Sequence, residues 1–288
     1  MPAASNVTGK VALIGAGRMG AALASGWLRQ RRGGLDAQTL VIIDPSPGDE
    51  ALELAQRHGI TILPELTKKA ASGVDRVVLA VKPQTFPALA ESLAAKIPPR
   101  ALIISILAGV GLIALGRAFP GHPVVRAMPN TPGAIGKGIT VGISSLEADA
   151  PEYRAAAEAL LKVTGTYEWV EDERLMDAVT AVSGSGPAYV FLMCEALTRA
   201  GEAEGLPPAL AEKLAVATVA GAGALLEDGL KRKTADAAAL RRAVTSPGGT
   251  TQAALDVLMS GGGLPMLIRN AVSAAERQAR KLGGAMQF

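Results

Sequence analysis

The chain has 288 residues, 49% of them apolar, enough for one or two domains with a sizeable core. Its 29 basic and 26 acidic residues nearly cancel, leaving +3, and aromatics make up only 3%, so the basic, aromatic-studded surface of a nucleic-acid binder is not expected. A single cysteine, Cys194, and two histidines, His58 and His122, in settings unlike a metal pair or a catalytic triad, argue against a disulfide framework, a metal centre and Ser-His-Asp hydrolysis.

Met1 to Gly9 is polar, without the apolar core of a signal peptide. No stretch reaches about 18 consecutive apolar residues, so no transmembrane helix is expected and the expected location is the cytoplasm. The first strand, Val11–Ile14, runs into Gly15-Ala16-Gly17-Arg18-Met19-Gly20, and a helix is expected from Met19 to about Arg31. In this strand–GxGxxG–helix context Gly15 makes the tight turn, Gly17 lets a pyrophosphate approach, and Gly20 lets helix and strand pack closely. The phosphates then meet the free N–H groups of the helix start. The basic tract Arg29-Gln30-Arg31-Arg32 reads as a solvated helix end.

A second strand, Thr39–Ile43, ends at Asp44, where an acid that binds a ribose hydroxyl belongs. Further strands are expected at Arg76–Ala80, Leu102–Ile106, Pro123–Ala127, Ile139–Ile143 and Tyr167–Val170. Helices are expected at Glu50–His58, Phe86–Ala95, Leu112–Ala118 and Glu152–Val163. This alternation is that of a Rossmann-type doubly wound sheet, whose ligand sits at the carboxyl ends of the strands. There, Ala80-Val81-Lys82-Pro83 presents a basic residue pinned by a proline; a loop lysine near the cofactor phosphates or ribose is favoured over a general acid. Ser105 to Gly109, including Ala108, is small enough to lie against a flat nicotinamide. Asn130 either fixes its loop or reaches the cofactor carboxamide.

After Glu171 strand signals vanish, and the domain boundary is placed there: residues 1–170 form the dinucleotide-binding domain and 171–288 an all-helical one. Helical patterns run Arg174–Val182, Ala188–Ala203, Ala209–Leu230, Ala238–Ala243, Ala253–Met259 and Leu267–Leu282. Ser183-Gly184-Ser185-Gly186-Pro187 reads as a sharp helix–helix turn, with Ser185 as N-cap, and Cys194 as a small buried hydrophobe. Lys231-Arg232-Lys233 is a solvated helix end. The tract Thr218-Val219-Ala220-Gly221-Ala222-Gly223-Ala224 lets helix backbones approach closely, and so lean a bundle favours burial against a partner subunit.

Near the C-terminus stands Thr245-Ser246-Pro247-Gly248-Gly249-Thr250-Thr251. Pro247 biases Ser246 toward extended backbone, Gly248 and Gly249 admit a ligand to their N–H groups, and Thr250 or Thr251 is expected to cap the next helix. Together they form a cradle for a small anion such as a carboxylate.

With these residues assembled, the chain resembles the Δ1-pyrroline-5-carboxylate reductases over nearly its whole length. The motifs that carry the resemblance are Gly15 to Gly20, Ala80 to Pro83, Met128-Pro129-Asn130-Thr131-Pro132 and Asp177-Ala178-Val179-Thr180. It continues through Ser183 to Tyr189, Gly205-Leu206-Pro207, Ser246 to Thr251 and Ser260-Gly261-Gly262. The resemblance implies a helical domain that interlocks with a second subunit, often within larger rings. It implies that Ser246, the backbone at Gly249 and Thr250, and Thr251 hold the substrate carboxylate, with the Thr251 hydroxyl within reach of the ring nitrogen as the catalytic contact. Glu173 would help line the substrate site, and Gly15, Gly17, Arg18, Met19, Ser46, Val81, Lys82 and Ala108 would contact NADPH or NADH. One departure is Ala243, where relatives carry an asparagine that faces the cofactor.

The rivals are a β-hydroxyacid dehydrogenase, which needs a lysine on the helix after the boundary, and a non-catalytic dinucleotide sensor, which needs no anion cradle. Ala188-Tyr189-Val190-Phe191-Leu192-Met193 contains no lysine. Between the cofactors, Asp44 favours NADH, while Pro45-Ser46-Pro47-Gly48 offers a hydroxyl and turn amides that suit a phosphate.

Overall fold

The structure, a computed structural model, describes residues 9–29 and 34–285. The expected polar segment up to residue 8 and the tract from Gln30 to Arg32 lie outside the described residues. By packing, the chain forms two compact units: residues up to Gly184 with those from Ala275 onward, and residues Ser185–Ala274.

In the first unit β1 (Lys10–Ile14), α1 (Arg18–Arg29), β2 (Leu40–Ile43), α2 (Asp49–His58), β3 (Ile62–Leu63) and α3 (Lys68–Ala71) come first. There follow β4 (Val74–Leu79), α4 (Phe86–Ala94), β5 (Leu102–Ser105), α5 (Leu112–Ala118) and β6 (Val124–Met128). Then come β7 (Gly138–Ser144), α6 (Pro151–Leu161) and β8 (Gly165–Trp169). The strands form one sheet in the order β3-β2-β1-β4-β5-β6-β7-β8. From β3 to β6 all neighbours are parallel, in the order of a doubly wound dinucleotide-binding sheet, while β7 pairs antiparallel with β6 and β8 runs parallel to β7. The strands are apolar on both faces because both are covered. Val11 and Leu13 meet Leu23 and Trp27 of α1 and Leu160 of α6, while Ala12 and Ile14 belong to the cluster of Phe86 and Leu93 from α4, Leu115 from α5 and Phe119 just after it. The Trp27 indole N–H donates to the Leu160 carbonyl at 2.6 Å.

The composition changes at Glu171, but packing changes after Gly184. A 3₁₀ turn, Glu173–Leu175, leads into α7 (Met176–Val179), and Met176 is buried with Val141 and Ile143 of β7. The sharp turn expected at Ser183–Pro187 is instead a π-helical turn, Thr180–Gly184, and Ser185 keeps right-handed helical backbone angles at the start of α8 (Gly186–Ala203) without capping through its side chain. The Thr180 and Ser183 hydroxyls donate to the carbonyls of Met176 and Val179, four residues back, which favours a widened turn.

Tyr167 on β8 is 7% exposed, and its hydroxyl sits where a Cβ on Gly142 would be, 1.7 Å from that position. Burial pushes the phenol pKa up. Its oxygen has no hydrogen-bond partner. A buried, unpaired hydroxyl costs about 1–3 kcal/mol. Tyr167→Phe is therefore expected to hold or raise stability, by up to about 1 kcal/mol; a fall in the urea midpoint at unchanged m-value would mean the hydroxyl has a partner.

The second unit holds α8, α9 (Pro208–Arg232), α10 (Ala237–Ala243), α11 (Thr250–Leu258) and the start of α12 (Leu264–Ala285). Gly201 of α8 lies against Ala211 of α9, so the two backbones approach closely. Little else is covered: α8 and α11 have no buried residue, and α9 buries only Ala211, Ala215 and Gly229. Phe191, Leu192, Leu214, Val216, Leu225 and Leu226 are all exposed, and Cys194 is half-buried where a buried side chain was expected. The end of α9 is a charged surface as expected, with Arg232 paired to Asp228. By length and mean hydropathy, 1.5 over its most apolar window, α9 is long and apolar enough to cross a membrane, which counting consecutive apolar residues did not suggest.

Candidate dinucleotide and anion sites

Every residue expected to touch the cofactor lies in the first unit, on the loops that follow β1, β2, β4, β5 and β6 or in the first turn of α1. Gly15 has φ +97°, and a Cβ there would come within 2.7 Å of the Ala80 carbonyl. A Cβ on Gly20 would lie 2.1 Å from the Gly15 carbonyl oxygen, so this glycine is what lets α1 start directly over the loop. Around Gly17 a Cβ would meet nothing within 4 Å. The loop thus presents bare, exposed backbone at Gly17 beside the N–H groups of a helix start, the opening a pyrophosphate needs. Arg18 is exposed and Met19 half-buried.

The carboxylate of Asp44 ties this loop to the end of β2. Its Oδ2 accepts the Ala16 N–H at 2.7 Å, and its Oδ1 accepts the Ser46 N–H at 2.8 Å. Lys82 is exposed, and its carbonyl accepts both the N–H and the hydroxyl of Thr85, which fixes the Ala80–Pro83 turn. An exposed ammonium suits charge attraction better than proton donation. Ala108 is exposed at the end of β5. Asn130 uses its side chain within the protein: Oδ1 accepts the Ile139 N–H at 3.0 Å, and Nδ2 donates to the Ser183 carbonyl at 3.2 Å. Of the two readings of Asn130, these contacts carry out the fixing of the loop.

Glu173 also lies in the first unit, and its contacts were not foreseen. One oxygen accepts from Arg126 at 2.7 Å and from the Leu112 N–H at 2.8 Å. The Arg126 side chain is 9% exposed and that of Glu173 30%. The pair thus anchors the start of α5 to β6, and it lines a cavity of about 290 Å³ with Gly109, Gly111, Asp177 and Arg280. A charge on a strand and an acid 47 residues later give no local pattern from which to read this.

The anion cradle belongs to the second unit. Gly249 N–H donates to the Ser246 carbonyl at 3.0 Å, and Gly248 has φ +71°, so Ser246–Gly249 is a tight turn with proline second and glycine third. The residue that caps α11 is Gly249, with no side-chain cap; Thr250 and Thr251 are the first residues inside the helix. This corrects the expected cap and leaves the helix-start N–H groups without a hydroxyl of their own. The Gly249 N–H is occupied by the turn, so an anion here would meet the N–H groups that follow it, with the Ser246 and Thr251 hydroxyls beside them. A cavity of about 420 Å³ adjoins the turn, lined by Arg241, Arg242, Thr245, Gln252 and Asp256 among others. Ala243 is the last residue of α10 and exposed.

The family model described as pyrroline-5-carboxylate reductase dimerisation matches residues 173–282, and one described as NADP oxidoreductase, coenzyme F420-dependent, matches residues 10–109. The chain is similar to the pyrroline-5-carboxylate reductase of Pseudomonas aeruginosa, 38% identical over 96% of this chain and 97% of that one. It is similar to that of Synechocystis, 39% identical over 95% and 98%. Among solved structures, a pyrroline-5-carboxylate reductase from Coxiella burnetii superposes with a TM-score of 0.85 at 32% identity, covering 96% of this chain and 98% of that one. The Plasmodium falciparum enzyme, solved with NADP bound, gives 0.80 at 26% identity, covering 97% and 100%.

Proposed function

This chain belongs to the pyrroline-5-carboxylate reductase family, and on that premise we propose that it reduces the cyclic imine 1-pyrroline-5-carboxylate to L-proline, the last step of proline synthesis, with NADPH or NADH. The observation that carries the reading is the presence of both halves of such a site in one chain: a glycine loop open at Gly17 and an uncapped helix start behind Ser246–Gly249. The rival hydroxyacid dehydrogenase is disfavoured because α8 contains no lysine. A sensor would leave the cradle without a purpose.

Gly15, Gly17, Arg18, Met19 and Gly20 would hold the pyrophosphate, Asp44 and Ser46 the adenosine ribose, and Ala80, Val81, Lys82, Pro83 and Ala108 the nicotinamide half. Asn130 would add a contact through its second amide hydrogen. When bound, the reduced nicotinamide supplies a hydride to the ring carbon next to nitrogen; with one proton this turns C=N into CH–NH. The protonated imine is already electrophilic, so the protein needs no strong acid and acts by positioning. Ser246, the helix-start N–H groups of Thr250 and Thr251 that the Gly248–Gly249 turn leaves open, and the helix dipole would anchor the carboxylate. Thr251 hydrogen-bonds the ring nitrogen and orients it, and Glu173 holds the wall beside Gly111. Thr251→Ala is expected to lower kcat/KM for the imine by one to two orders of magnitude, about 1.4–2.8 kcal/mol, with dinucleotide affinity unchanged. Undiminished turnover by a folded variant would remove Thr251 from the mechanism.

The helical domain, from about Glu171, would pair with a second copy of the chain, giving a homodimer or a ring of dimers. The unburied faces of α8, α9 and α11 support this. A membrane is a poorer cover for α9. Its uncharged stretch from Leu214 to Leu226 spans about 20 Å at 1.5 Å per residue, against the roughly 30 Å of a bilayer core. A cytoplasmic, small-molecule enzyme without nucleic-acid partners fits the balanced charge and the lone cysteine.

A further inference from the structure

The turn after β2 carries a choice between the two dinucleotides that composition leaves open. In this sheet order the acid ending β2 faces the adenosine ribose, and the 2′ position is where NADH and NADPH differ. Resting on the reductase reading above, we propose that this turn selects NADH and rejects the 2′-phosphate of NADPH.

The first reason is that Asp44 cannot withdraw. Both its oxygens are engaged, with the Ala16 N–H at 2.7 Å and the Ser46 N–H at 2.8 Å. Rotating the carboxylate away to admit a phosphate would strand two backbone donors, one of them in the glycine loop itself. The charge is therefore fixed in place, with lone pairs still open to a ribose hydroxyl.

The second reason is that the turn has few donors for a phosphate. Pro45 and Pro47 have no N–H, and the Ser46 N–H is held by Asp44, so only the Ser46 hydroxyl remains between β2 and Gly48. The start of α2 would offer further N–H groups, but its first turn carries Asp49 and Glu50, both exposed. The fixed Asp44 carboxylate, with two more acids in the first turn of the next helix, thus gives this end of the site a negative charge against a group that carries about −1.5 to −2 charges.

Among the described residues, the basic side chains of the neighbouring elements have other settings, and exposed Lys82 belongs to the turn after β4. Arg57 lies about two turns further along α2 and lines a cavity with Glu50 and Glu53. The Lys10 ammonium donates to the carbonyls of Ala70 and Ser72. Arg18 is the remaining exposed cation of the loop, and it sits at the helix start that meets the pyrophosphate.

The test is direct binding, by calorimetric titration of the purified protein with NADH and with NADPH, beside kcat/KM for each. NADH is expected to bind at least about tenfold tighter, and the gap should narrow in high salt because the repulsion is between exposed charges. The double variant Asp49→Asn, Glu50→Gln, which touches neither the Asp44 bonds nor the glycine loop, should tighten NADPH severalfold and leave NADH unchanged. Equal or tighter binding of NADPH by the wild-type protein would overturn the selectivity while leaving the reductase reading intact. Binding of neither dinucleotide would overturn both.

Discussion

A Gly17→Val variant is expected to fold normally and to lose affinity for NADH and NADPH by more than about a hundredfold. The two neighbouring glycines cannot be used for this test. Gly15 is held at φ +97° against the Ala80 carbonyl, and Gly20 touches the Gly15 carbonyl, so side chains there would deform the loop before any ligand arrived. Gly17 is different. No φ in the left-handed region is required of it, and a Cβ would meet nothing within 4 Å. The valine therefore projects into the space reserved for the pyrophosphate and costs the folded protein little. An unchanged far-UV spectrum and melting temperature, with calorimetric binding abolished, is the expected result. Full binding by the valine variant would show that the dinucleotide does not approach the loop.

Gly221→Leu is expected to break the proposed dimer without unfolding the chain. Gly221 lies within α9, where a Cβ meets nothing within 4 Å. Leucine is a better helix former than glycine by roughly 0.5–1 kcal/mol, so the single chain should tolerate it. A closely packed partner should not. Overpacking costs about 1–3 kcal/mol per site and is counted twice across a two-fold axis, so the dissociation constant should rise by roughly 30-fold or more. Light scattering at micromolar concentration would show the loss of mass, and activity should fall with it if the cradle is completed by assembly. An unchanged oligomer would remove this face of α9 from the interface.

Much of this was readable because the first unit is built from repeated, local signals. An apolar strand running into Gly15-Ala16-Gly17, and a second ending at Asp44, each announce themselves within a few residues, and the sheet is of the doubly wound kind expected. Elements with too few residues to show a period were missed: β3 has two and α3 four. The segment Ser183–Pro187 was read as a sharp turn because serine and glycine mark breaks in general, whereas Ser183 and Gly184 complete a π turn that begins at Thr180. Here the hydroxyls bond back to the helix, and Gly184 instead makes room beside Met128. The cap of α11 was assigned to a threonine by residue type, whereas the turn geometry set by Pro247 and Gly248 gives the position to Gly249. The Arg126–Glu173–Leu112 link is purely tertiary, and no pattern in the chain connects those three residues.

The central claim is tested most directly by incubating the purified protein with 1-pyrroline-5-carboxylate and NADH or NADPH, while following oxidation of the dinucleotide and formation of L-proline together. The account predicts one proline for each dinucleotide oxidised, at a rate that requires both reactants. Dinucleotide binding without any proline formed above the enzyme-free control would contradict it.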